Sequence, residues 1–129
     1  MIDILYQDKE LAVCRKPAGL LSQDGPGDTL PSLLRAQLGG EIFPVHRLDR
    51  GTSGLLVAAK HPHAQEVLKN QLHTKDFRRV YLAVCEGVPD PPAGVIDAPL
   101  GPKPGSLMEQ MVRPDGKPAR TRYQALEAF

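Results

Sequence analysis

At 129 residues the chain is long enough for one domain with a core, and 41% apolar with 24% charged residues is ordinary for a globular protein. A net charge of +1 lacks the lopsided basicity of a dedicated nucleic-acid-binding domain. No apolar run nears the roughly 20 residues that a membrane-spanning helix needs, and Met1 to Glu10 has no basic-then-apolar leader pattern.

Ile2 to Tyr6 and Leu11 to Arg15 read as strands joined by a turn at Asp8-Lys9. Lys16-Pro17-Ala18-Gly19-Leu20 stops the second strand, since proline removes a ladder donor. Gln23 to Asp28 is a glycine-rich loop. Asp28 or Thr29 then caps a helix to about Leu38, with Pro31 in its first turn and Leu30, Leu33, Leu34 and Leu38 on one face. Gly39-Gly40 ends it. Ile42 to Leu48 is extended. Gly54 to Ala59 is nearly all apolar, which predicts a strand covered on both faces. Pro62 opens a second helix, His63 to about Thr74, with Val67, Leu68 and Leu72 as its apolar stripe.

Phe77 to Glu86 alternates around Val80, Leu82 and Val84 and predicts a strand that Gly87 ends. Eight of the thirteen prolines fall between Pro89 and Pro118, which predicts extended connections and turns with one strand at Val95 to Leu100. Arg120 to Phe129 alternates again and predicts a last strand. Cys14 and Cys85 sit in predicted strands and read as buried free thiols of a reducing cytoplasm.

The chemistry concentrates in His46-Arg47-Leu48-Asp49-Arg50-Gly51-Thr52-Ser53-Gly54. Asp49 stands between two arginines, and nearby positive charge favours an ionised carboxylate. Gly51 and Gly54 permit backbone angles that side chains block. Arg47 either pairs with Asp49 or contacts a polyanion. The Thr52 and Ser53 hydroxyls are expected to satisfy backbone groups of the turn. His46 has no Ser or Cys partner at a recognisable spacing and reads as a loop-fixing hydrogen-bonder. Lys16 is either near a phosphate or a surface lysine. Two basic clusters, Lys75, Arg78, Arg79 and Arg113, Lys117, Arg120, Arg122, are either solvated surface or polyanion contacts. His61, His63, His73 and the cysteines have no metal-ligand spacing. Leu48 to Thr52 superficially suggests an aspartyl-phosphate loop, but Gly51 stands where such loops carry a second acid, and no Walker loop is present.

HRLDRGTSG resembles the catalytic signature of the RluA-type family of RNA pseudouridine synthases, in which the motif aspartate is catalytic. His46 favours that branch, because RsuA-type enzymes usually carry glycine there. Three further segments resemble family motifs in the same order: Cys14 to Leu20, Arg79 to Gly87, and Lys117 to Tyr123. The family's later motif, roughly TGRTHQIR, has no match, so the resemblance implies an N-terminal portion of a longer catalytic domain, without a preceding S4-like module.

The resemblance implies an α+β fold: a mixed, mostly antiparallel sheet flanked by helices. It implies isomerisation of uridine to pseudouridine in structured RNA, ribosomal or transfer, in the cytoplasm, with no metal, redox cofactor or nucleotide and no membrane partner. Asp49 and Tyr81 would be catalytic, with Tyr81 against the target base. Arg47, Arg50, Lys16 and Arg79 would contact RNA, while His46, Gly51, Thr52, Ser53 and Gly54 would shape the loop. A chain of this length is expected to be weakly active or inactive, the alternative being an RNA-binding remnant, and an exposed sheet edge would invite self-association.

Overall fold

The first turn is capped by its own side chain. Asp8 accepts the backbone N–H groups of Glu10 and Leu11 at 2.7 and 2.9 Å and the Tyr6 hydroxyl at 2.8 Å. In the computed structural model, which describes all 129 residues, this turn folds β1 (Asp3–Gln7) antiparallel onto β2 (Leu11–Lys16). On its other side β2 pairs antiparallel with β4 (Gly54–Ala59), from Leu11 opposite Ala59 to Lys16 opposite Gly54. The short β3 (Phe43–Pro44) completes a four-stranded sheet of order β1-β2-β4-β3.

Helix α1 (Leu30–Leu38) begins at Thr29, which exchanges bonds with Ser32 in a capping box, and ends at Gly39 with φ 75°. Helix α2 (Pro62–Gln71) starts where His61 Nδ1 accepts the Ala64 N–H at 3.2 Å. It begins at Pro62, as expected, and stops at Gln71, sooner than its apolar stripe predicts. Alternation along β4 sends Leu56 and Ala58 to one core with Cys14, Leu30 and Leu34. Val57 and Ala59 go to another with Ala64, Leu68 and Leu72. From Leu56 to Ala59 the strand is covered on both faces, as its composition predicts, whereas Leu55 is exposed; each fully buried Leu contributes about 1.5–3 kcal/mol. Burial pushes the Cys14 thiol up to about 11, which keeps it inert.

The chain divides into two units, Met1–Val80 and Tyr81–Phe129. The buried apolar side chains all lie between Ile2 and Ala64. The second unit consists of two antiparallel ribbons, β5 (Ala93–Asp97) with β8 (Arg120–Gln124) and β6 (Leu100–Pro102) with β7 (Gln110–Val112). The expected single strand at Val95 to Leu100 is thus two strands broken at Ala98-Pro99, where proline supplies no donor, and β8 stops at Gln124.

The predicted strand Phe77 to Glu86 does not form. Val80, Leu82 and Val84 are 87–90% exposed, and Cys85 is exposed rather than buried. Alternation makes a strand only where a neighbouring backbone takes the ladder bonds and a layer covers the apolar face, and this segment has neither. No helix is long and apolar enough to cross a membrane.

Candidate active site

Because Lys16 pairs with Gly54, the loop leaving β2 and the loop entering β4 emerge side by side from one end of the sheet. The two loops are tied together. Lys16 is fully buried, and its ammonium donates to the carbonyls of Pro17 at 3.0 Å, Leu20 at 2.7 Å and Arg50 at 3.1 Å. The Gly19 N–H donates to the same Arg50 carbonyl at 2.6 Å. All three ammonium hydrogens are used. Lys16 is therefore neither a surface lysine nor a phosphate contact; it is the clamp between the loops. Burial lowers its pKa, and the charge of Asp49 works in the opposite direction.

Ser22 holds the other side of Asp49. Its buried hydroxyl donates to the Leu48 carbonyl at 2.7 Å and accepts the Leu48 N–H at 3.1 Å. Nothing in the sequence marks this serine; only its burial against the motif loop reveals it. The Thr52 N–H then closes a turn on the Asp49 carbonyl at 3.0 Å. The Asp49 backbone is thereby pinned at Leu48, at its own carbonyl and at Arg50.

The side chains around it are free. Asp49, Arg47 and Arg50 are exposed, and the Asp49 carboxylate makes no ion pair or hydrogen bond within the chain. The alternative that Arg47 pairs with Asp49 is not realised; exposed pairs are worth only about 0–1 kcal/mol, so nothing compels one. The Thr52 and Ser53 hydroxyls make no backbone bonds; the Thr52 backbone N–H does that work instead.

His46 Nε2 accepts the Val57 N–H at 3.1 Å, which ties the motif to β4. The proton then sits on Nδ1, which is buried without a partner. Phe77 meets the imidazole edge-to-face at 5.4 Å. Burial first, and the Arg79 charge second, lower the His46 pKa from its ordinary 6.5. Protonation would put a second donor against the Val57 N–H. The unfolded chain takes up that proton first, so this contribution to stability is complete above about pH 6.5 and is lost as pH falls through the window below it. The drop in urea midpoint between pH 7.5 and 5.5 is expected to shrink in His46→Gln; an equal drop would reject this account.

The two motif glycines differ. Gly54 has φ 148°, with Leu48 3.7 Å from where a Cβ would stand. Gly51 has an ordinary φ and open space around it, so the expected need for glycine there is not met. Gly54→Ala is expected to cost about 1–3 kcal/mol and Gly51→Ala less than about 0.5 kcal/mol, as read by chemical denaturation.

Of the other expected site residues, Arg79 is exposed in the first unit, and Tyr81 opens the second unit with its ring more than half exposed. The structure thus brings Lys16, Arg47, Asp49, Arg50 and Gly54 to one end of the sheet. The ion pairs of Arg113 with Asp115 and of Arg35 with Asp24 lie apart from the motif in sequence and fasten local loops.

A sequence model described as RNA pseudouridylate synthase matches residues 10–129. An uncharacterised RNA pseudouridine synthase of Chloroflexus aurantiacus is 44% identical, over 88% of this chain and 39% of that protein. A ribosomal large subunit pseudouridine synthase D of Nitrosomonas europaea is 40% identical, over 99% of this chain and 39% of that protein. Among solved structures, human RNA pseudouridylate synthase domain containing 4 superposes with a TM-score of 0.67 at 26% identity, covering 98% of this chain and 54% of that one. The chain spans about two fifths of the length of these curated relatives.

Proposed function

Because the chain belongs to the RNA pseudouridylate synthase family, we propose that it isomerises uridine to pseudouridine in RNA, with Asp49 as the catalytic carboxylate. The observation that carries this reading is a carboxylate left exposed and unpaired on a backbone that buried bonds hold from both sides. A group that must meet a substrate gains from such a fixed base.

In the reaction the C1′–N1 glycosidic bond breaks, the uracil turns, C1′ bonds to C5, the C5 proton leaves, and N1 gains a proton. A carboxylate serves either as nucleophile, at C1′ or at C6, or as base at C2′. The target base must first leave its stack, at a cost of a few kcal/mol. Arg47 and Arg50 flank Asp49 and are exposed, which suits them to phosphate or to the space a flipped nucleotide leaves. Tyr81 is assigned to the uracil face, on the strength of its exposed ring and the Arg79 to Gly87 motif; base stacking is worth about 1–3 kcal/mol. Arg79 is assigned to RNA phosphate.

One relative is named for the large ribosomal subunit, which puts ribosomal RNA ahead of transfer RNA as the first substrate to try. The free thiols Cys14 and Cys85 fit a reducing compartment such as the cytoplasm. The assay is tritium release from RNA labelled at uridine C5. No release from ribosomal or transfer RNA, while a known synthase works in parallel, would overturn the reading. RNA binding without turnover is the second reading, kept because the chain covers only part of its relatives' length. It requires binding that weakens steeply with salt but no tritium release. Self-association through edge strand β1, which exposes Leu5 and Tyr6, belongs to the same set of proposals and is read by light scattering against concentration.

A further inference from the structure

We infer that Ser22 is a positioning residue for the reaction: its hydroxyl sets the peptide groups just before Asp49 and thereby where the carboxylate stands. This rests on the reading of Asp49 as catalytic. Downstream of Asp49 the Arg50 carbonyl is held twice, by Lys16 and by Gly19. Upstream, the polar hold on the Leu48 peptide groups is Ser22, which takes both the N–H and the C=O. The Leu48 side chain is buried with the α1 core. Apolar packing fixes the position of that residue but is not directional, whereas a hydrogen bond prefers near-linear geometry. Rotation of the Leu48–Asp49 peptide is therefore controlled by the serine oxygen, and that rotation aims the Asp49 side chain.

Two isosteres separate the hydroxyl from the space it fills. Ser22 borders a small cavity lined by Leu30, Leu34, Ile42, His46 and Leu56. Ser22→Thr keeps the hydroxyl; Ser22→Val has nearly the same shape without it. The Val variant is expected to lose about 10- to 100-fold in kcat with KM within about threefold, because a misplacement near 1 Å costs rate rather than binding. The Thr variant is expected to retain kcat within about threefold of wild type.

Equal kcat in the Thr and Val variants would overturn the proposal, and so would a Val loss that follows only the folded fraction. A second readout needs no turnover. Amide exchange at Leu48, whose N–H the Ser22 hydroxyl accepts, is expected to quicken in the Val variant but not in the Thr variant. If wild type itself releases no tritium, the functional reading fails first. Unchanged exchange at Leu48 in Ser22→Val then overturns the Ser22 hold as well, and faster exchange at Leu48 without a general loss of protection upholds it.

Discussion

Replacing Asp49 with Asn is expected to lower pseudouridine formation by at least about 10²–10⁴-fold, the range for losing a group that handles protons in the transition state. Asparagine keeps the shape and removes both the charge and the basicity. The fold gives this test unusual clarity, because the carboxylate holds nothing in place within the chain. Stability is expected to move by less than about 0.5 kcal/mol, as for an exposed residue without structural partners. Tritium release and a thermal melt on the same preparation read both quantities. Retained turnover, or a collapse of the melt, would contradict the assignment.

Lys16→Met is expected to damage the fold of the first unit strongly. Methionine matches the stem but leaves the Pro17, Leu20 and Arg50 carbonyls without their shared donor. A hydrogen bond to a charged group is worth about 1.5–3 kcal/mol, and a buried acceptor left alone costs a comparable amount. Losing about 2 kcal/mol would lower the melting temperature of a unit this size by about 8–16 °C. Turnover should fall further than the folded fraction does, because the Arg50 side of the Asp49 loop is released at the same time. A urea midpoint equal to wild type would mean that water replaces the ammonium and that the clamp is not structural.

Much of the first unit was legible because its signals are local. Thr29, Pro31 and Gly39 bracket α1 within a few residues, and the apolar run of β4 coincides with the observed strand. Phe77 to Glu86 misleads for the opposite reason. Its alternation is a local pattern whose fulfilment depends on a distant backbone to pair with. The site divides along the same line. Asp49, Arg47 and Arg50 announce themselves by charge in a short motif. Lys16 reads as either a phosphate contact or a surface charge until its contact with Arg50, 34 positions away, is known, and Ser22 carries no signal at all.

The loop that carries Asp49 is fastened to its neighbour through main-chain atoms: the Leu48 N–H and the carbonyls of Leu48 and Arg50. Every amino acid except proline supplies those atoms. The identities of residues 47 and 50 are thus uncoupled from the placement of the catalyst. On the proposed function, divergence at these two positions would retune which RNA is chosen without re-solving where the carboxylate stands. A library randomised there should yield folded proteins at a high rate, with altered substrate preference as the main axis of variation.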